Sequence, residues 1–171
     1  MSARGLCLLL AIGALLIGGC DSNGETGDVT EPSDGITRQI SGRWKGKLHQ
    51  QGLGTFKIAV DLGADGLARV AYTGINCAGD WSLEGVLDSL PPGYVFAEEI
   101  NQGAGGTCKG AGTVALSPIQ DQLPNAPAYN QLKYQFTGGG LTSRGLLRRT
   151  DVEHLAPIFE QAGIEPPPVE P

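Results

Sequence analysis

The sequence predicts an all-β fold: an eight-stranded antiparallel up-and-down barrel followed by a short C-terminal helix. Three observations carry that prediction. Apolar and polar residues alternate with period two through most of residues 41–149. Turn signals break the alternation repeatedly, drawn from 27 glycines and 11 prolines in 171 residues. The connections are mostly short, so successive strands pair as hairpins, and closing such a meander removes its exposed edges.

Each element follows from local pattern. The first strand, residues 41–50, sets Trp44, Gly46 and Leu48 on one face and Arg43, Lys45 and Lys47 on the other. Gln51-Gly52-Leu53-Gly54 turns into a second strand, 55–62, with Phe56, Ile58, Val60 and Leu62 facing in and Lys57, Ala59 and Asp61 facing out. After the turn Gly63-Ala64-Asp65-Gly66, strands are expected at 67–73 and 80–87, the latter with Trp81, Leu83, Gly85 and Leu87 on one face. Pro91-Pro92-Gly93 leads to strand five, 94–100, and a glycine-rich turn leads to strand six, 108–116. A connection containing prolines, 117–128, precedes strand seven, 130–137, and Gly138-Gly139-Gly140 turns into strand eight, 141–149. Helical spacing of Val152, Leu155, Ile158 and Phe159, with Gly163 as a stop, marks the helix at 151–161. Residues 165–171 are Pro-rich and expected to be disordered or extended.

Two groups of residues stand out in that layout. Trp44, Trp81, Glu98 and Tyr134 are the candidates for the barrel interior or a ligand cavity. If Tyr94, Phe96 and Ile100 point inward, so does Glu98, and a buried carboxylate needs a partner. It is satisfied either by a barrel arginine or tyrosine or by a ligand. Arg43, Lys45, Lys47, Lys57, Arg144 and Arg148 form the second group, since a closed barrel brings strands one, two and eight together. Six bases on one outer wall suit an anionic partner. The overall net charge is -6, yet the body, residues 36–150, holds 11 bases against 8 acids. Acidic segments at 21–35 and 151–171 flank it, solvating the chain or shielding the wall.

The N-terminal residues carry a different kind of signal. Arg4 precedes an apolar run from Leu6 to Ile17, and Ile17-Gly18-Gly19-Cys20 resembles a bacterial lipobox. That resemblance implies a signal peptide over 1–19, lipid on Cys20, and a domain held outside the cytoplasm at the bacterial cell envelope. Asp21 resembles the inner-membrane retention signal of some enteric bacteria, while the choice of inner or outer membrane stays open. Residues 20–35 then read as lipidated cysteine and acidic tether, about fifteen residues reaching roughly 20 Å. With Cys7 in the signal and Cys20 lipidated, Cys77 and Cys108 remain as a disulfide pair in an oxidising compartment. The domain layout is therefore 1–19 signal, 20–35 tether, 36–150 barrel, and 151–171 helix and tail.

Two further resemblances concern the barrel. Gly42-Arg43-Trp44 is similar to the Gly-x-Trp that opens lipocalins and related calycins. The resemblance implies that Trp44 closes one end of a lipocalin-like barrel, with Arg148 or Arg149 packed across it. Asn76-Cys77-Ala78-Gly79-Asp80-Trp81-Ser82-Leu83, Glu98-Glu99-Ile100, Cys108 and Gly112-Thr113-Val114-Ala115-Leu116 resemble, in that order, small extracytoplasmic β domains. Such domains occur on bacterial lipoproteins and actinobacterial receptor kinases. This second resemblance implies a non-enzymatic domain with one disulfide.

Catalytic patterns are not supplied. His49 and His154 lie in different elements without a nearby Ser or Cys partner, so neither a nucleophilic triad nor a histidine metal site is expected. Glu98 and Glu99 point to opposite faces of their strand. Glycine runs lack a following Gly-Lys-Ser/Thr, which excludes a phosphate loop. No cofactor and no nucleic-acid partner are expected. The expectation is a membrane-tethered, non-catalytic binding module for a small amphipathic ligand or an envelope component. The alternative is an inhibitor or immunity protein acting on a secreted lysozyme or protease.

Overall fold

The computed structural model describes residues 38–103, 107, 108, 110–119 and 129–168. Eight strands follow in chain order: β1 (Gly42–Gln50), β2 (Gly54–Leu62), β3 (Leu67–Thr73), β4 (Cys77–Leu87), β5 (Gly93–Gln102), β6 (Ala111–Ile119), β7 (Gln131–Gly138) and β8 (Leu141–Arg149). They close into one barrel in which every neighbour is antiparallel, and β8 returns to pair with β1. One helix, α1 (Val152–Gln161), follows the last strand. None of the described helices is long and apolar enough to cross a membrane.

Alternation decides what lies inside. Leu48, Ile58, Val60, Val70, Phe96, Val114, Leu116, Leu132 and Leu147 are fully buried and fill the barrel from all sides. A Cβ on Gly112 would collide with the Phe136 ring, so that inward position has to be bare.

Three elements depart from the expected pattern, each for a physical reason. In β4 the register with β5 shifts between Leu83 and Gly85, so the anticipated single face of Trp81, Leu83, Gly85 and Leu87 is broken by a bulge. Leu87 ends 46% exposed as a result. β6 starts at Ala111 rather than at Cys108 and continues through Pro118. Its pairing with β5 ends at Tyr94↔Leu116, so Pro118 pairs only with β7 and its missing N–H leaves no broken ladder on the other side. Ala59 points outward as expected, yet it is buried, because α1 covers it.

The seat of α1 is a row of small residues. Ala59 pairs with Ala71 and Ala71 with Ala78 across β2, β3 and β4. Leu155, Phe159 and Ala162 pack into this row, and the Arg69 guanidinium lies 5.6 Å from the Phe159 ring centre. Gly163, at φ +80, ends the helix: its N–H donates to Glu160 and that of Ile164 to Phe159. This is the double bond of a glycine-terminated helix, completed by Ile164 against the same apolar cluster. The tail then runs extended along the wall, with Arg69 donating to the Glu165 carbonyl at 2.6 Å and Arg43 to that of Pro168 at 2.8 Å.

Cys77 and Cys108 are joined, linking the start of β4 to the β5–β6 connection with their Cα atoms 6.3 Å apart. The spacing suits a bridge. Replacing both cysteines with serine should destabilise the domain by about 3–4 kcal/mol on the chain-entropy estimate. Guanidinium unfolding of the oxidised protein against the double variant reads this out, and coincident midpoints would refute it.

Candidate functional site

Inside the barrel, four strands bring a polar cluster together. β5 delivers Glu98, 5% exposed, between Tyr72 of β3 and Trp81 of β4. The Tyr72 hydroxyl donates to Glu98 Oε1, and Trp81 Nε1 donates to the same oxygen at 2.8 Å. Tyr134 of β7 completes the group, its hydroxyl 3.4 Å from that of Tyr72 and its ring 6.0 Å from Trp81. Burial raises the Glu98 pKa, and the two donated hydrogen bonds pull partly against it. Both tyrosines are pushed well above their ordinary value, chiefly by burial, so they remain donors. Of the sequence candidates for the interior, Trp81, Glu98 and Tyr134 therefore meet.

The space beside them is small. A cavity of about 30 Å³ is lined by Glu98, Tyr72, Tyr134, Gln50, Ser143 and the two cysteines, among others. Gln50 and Ser143 bond to each other across it at 2.7 Å. That volume suits a single water molecule. Small-molecule sites are on the order of ten times larger.

Trp44 sits elsewhere, at the end where β1 begins and β8 finishes. Its indole donates to the Ile40 carbonyl at 2.8 Å, and the Arg149 guanidinium stacks 4.5 Å from its ring centre. Arg149 also donates to the carbonyls of Tyr129, Ser41 and Gln39. Of the two arginines offered by sequence, Arg149 closes the end and Arg148 faces outward. Desolvation lowers the Arg149 pKa.

Outside, β1, β2 and β8 form the floor of a groove, and α1 forms its other side. Its volume is about 680 Å³. Lys45, Lys47, Lys57 and Arg148 line it, with Leu146, Pro157, Ile158 and His154. The register explains the gathering: Lys47 lies opposite Lys57, and Lys45 opposite Arg148. These four bases make no ion pair among the described residues. The other two wall candidates are not part of the groove. Arg43 lies 3.5 Å from Asp61 and holds the tail at Pro168, and Arg144 pairs in register with His49 farther along β8. His154 joins the groove although its sequence context suggests only a surface residue. Leu146, Pro157 and Ile158 were also missed, because nothing in the sequence tells which wall the helix covers except the alanine row.

No group of His, Cys, Asp and Glu suited to a metal ion occurs among the described residues. Cys20 and the tether lie outside the described residues. Comparison with protein-family models, curated proteins and solved structures finds no match.

Proposed function

We propose that this protein is a lipid-tethered, non-catalytic binding module of the bacterial cell envelope, of lipocalin-like build, and that it engages an anionic envelope component through the groove beside α1. The groove carries this reading: four bases converge on about 680 Å³ that Leu146, Pro157 and Ile158 also line with apolar surface. Such a lining matches a phosphate-bearing amphiphile. The interior offers only about 30 Å³, which favours the outer wall over an enclosed ligand. The acidic C-terminal segment builds one side of the groove instead of filling it. The lipobox resemblance supports the tether.

The test uses the chain from residue 20 onward with Cys20→Ser and vesicles containing phosphatidylglycerol. A basic residue near an anionic surface contributes about 1 kcal/mol. The triple variant Lys45→Glu, Lys47→Glu, Arg148→Glu should therefore bind at least about a hundredfold more weakly. Arg144→Glu, outside the groove, should change binding far less. Wild-type binding should fade by roughly 0.5 M salt. Equal binding by the triple variant and wild type at low salt would defeat the reading.

A further inference from the structure

Among the described residues, five large apolar side chains are exposed: Leu67, Val86, Leu87, Leu90 and Leu146. Leu146 lines the groove. The other four lie at one end of the barrel, where Leu67 opens β3, Val86 and Leu87 finish β4, and Leu90 occupies the β4–β5 hairpin. Leu90 is 101% exposed. A single exposed leucine is ordinary on a protein surface, whereas apolar side chains collected at one end mark a contact.

The hairpin is built to hold that leucine out. Ser89 donates to the Pro91 carbonyl at 2.8 Å and accepts the Gly93 N–H at 3.1 Å, which folds the turn back on itself. Gly93 lies close against Leu87, and a Cβ there would sit 3.1 Å from Leu87 Cδ1. The same end of the barrel receives the chain from its N-terminal segment. Gln39, Ile40 and Ser41 are fixed there by Arg149 and Trp44. A tether of about fifteen residues, roughly 20 Å end to end, would keep this end close to any membrane that Cys20 is anchored in.

We propose that the β4–β5 tip, with Leu87 and Leu90 leading, inserts shallowly into the lipid bilayer, so that the barrel stands end-on to the membrane. The inference rests on the tether reading above. Asp88, between the two leucines, limits the depth to the headgroup boundary, because a carboxylate is costly in hydrocarbon. Pro91 and Pro92 carry no backbone N–H, and the N–H groups of Ser89 and Gly93 are bonded within the turn, which leaves few backbone donors to strip of water. The groove then opens on the flank of a barrel whose end is fixed.

The experiment uses the full lipidated protein in neutral phosphatidylcholine vesicles with brominated acyl chains, which isolates the tip from the basic groove. Trp44 and Trp81 are buried and supply a constant background. Leu90→Trp reports on the tip, Leu87→Trp repeats the reading one strand end away, and Gln51→Trp, in the exposed β1–β2 turn at the other end, is the control. Emission from tryptophan at 90 and 87 should shift to shorter wavelength and be quenched by bromine, and that at 51 should do neither. A protein that floats with the vesicles while all three reporters stay unquenched overturns the insertion and leaves the tether standing; the tip would then serve a protein partner. A protein that does not float removes the tether and the insertion together. Equal quenching at 51 and 90 refutes the end-on placement.

Discussion

Trp44→Ala is expected to destabilise the barrel by about 3–5 kcal/mol, the range for removing a buried large aromatic side chain. The site has little freedom to collapse. Trp44 is fully buried, its indole N–H is bonded to Ile40, and Arg149 lies over its ring. Removing the ring opens a cavity at the barrel end and strips the guanidinium of its stacking partner. Arg149 would still hold the carbonyls of Ser41, Gln39 and Tyr129, so the end should loosen rather than open. Trp44→Phe keeps most of the volume and loses the hydrogen bond, and it should cost less. Urea unfolding of the three proteins measures the order. If alanine and phenylalanine cost the same, the hydrogen bond and not the packed ring would be the source of stability.

Glu98→Ala ranks next. It leaves the Tyr72 hydroxyl and Trp81 Nε1 without their acceptor inside the barrel. Each stranded donor costs about 1–3 kcal/mol unless water enters to replace the carboxyl oxygen. Glu98→Gln keeps an acceptor in place and separates charge from hydrogen bonding. Because burial raises the Glu98 pKa in the folded protein above its ordinary 4.5, the folded state holds the proton more tightly than the unfolded state. Its contribution is therefore fully present below about 4.5 and is lost as pH rises through the folded value. Wild type should lose stability relative to Glu98→Gln over that interval, and no difference should develop at more acidic pH. Denaturant midpoints for both proteins at a series of pH values decide the matter, and parallel profiles would contradict the buried, raised carboxyl.

Much of this molecule is legible in the residue pattern. The strands follow from alternation, and the inward placement of Glu98 follows from its neighbours Phe96 and Ile100 two positions either side. The Trp44 end was readable from resemblance, though only coordinates choose Arg149 over Arg148, since adjacent residues of a strand point to opposite faces. The β4 bulge was not readable, because an extra residue in one strand changes the face without changing composition. Pro118 looked like the end of a strand because its tolerance depends on which neighbour has already finished. The groove was half legible. Alternation put Lys45, Lys47 and Lys57 on the outer wall, whereas its second side depends on where α1 docks. The pairing Ala59–Ala71–Ala78 was the signal for that docking, but it exists only once strand register is known.

The groove straddles the seam where the chain's first strand meets its last. All other strand pairs join consecutive strands, whereas β1 with β8 joins residues as far apart in sequence as Trp44 and Arg149. Long-range closure carries the largest loop entropy, and contacts of that kind slow folding. Lys45 and Lys47 stand on one side of the seam and Arg148 on the other, so an open, seven-pair sheet has no groove. An anionic occupant would therefore bind only the finished ring and act as a clasp across it, raising the apparent stability in proportion to the logarithm of its concentration above the dissociation constant. Thermal melting in the presence of the occupant becomes a measure of affinity, and loss of the seam, by whatever means, becomes release.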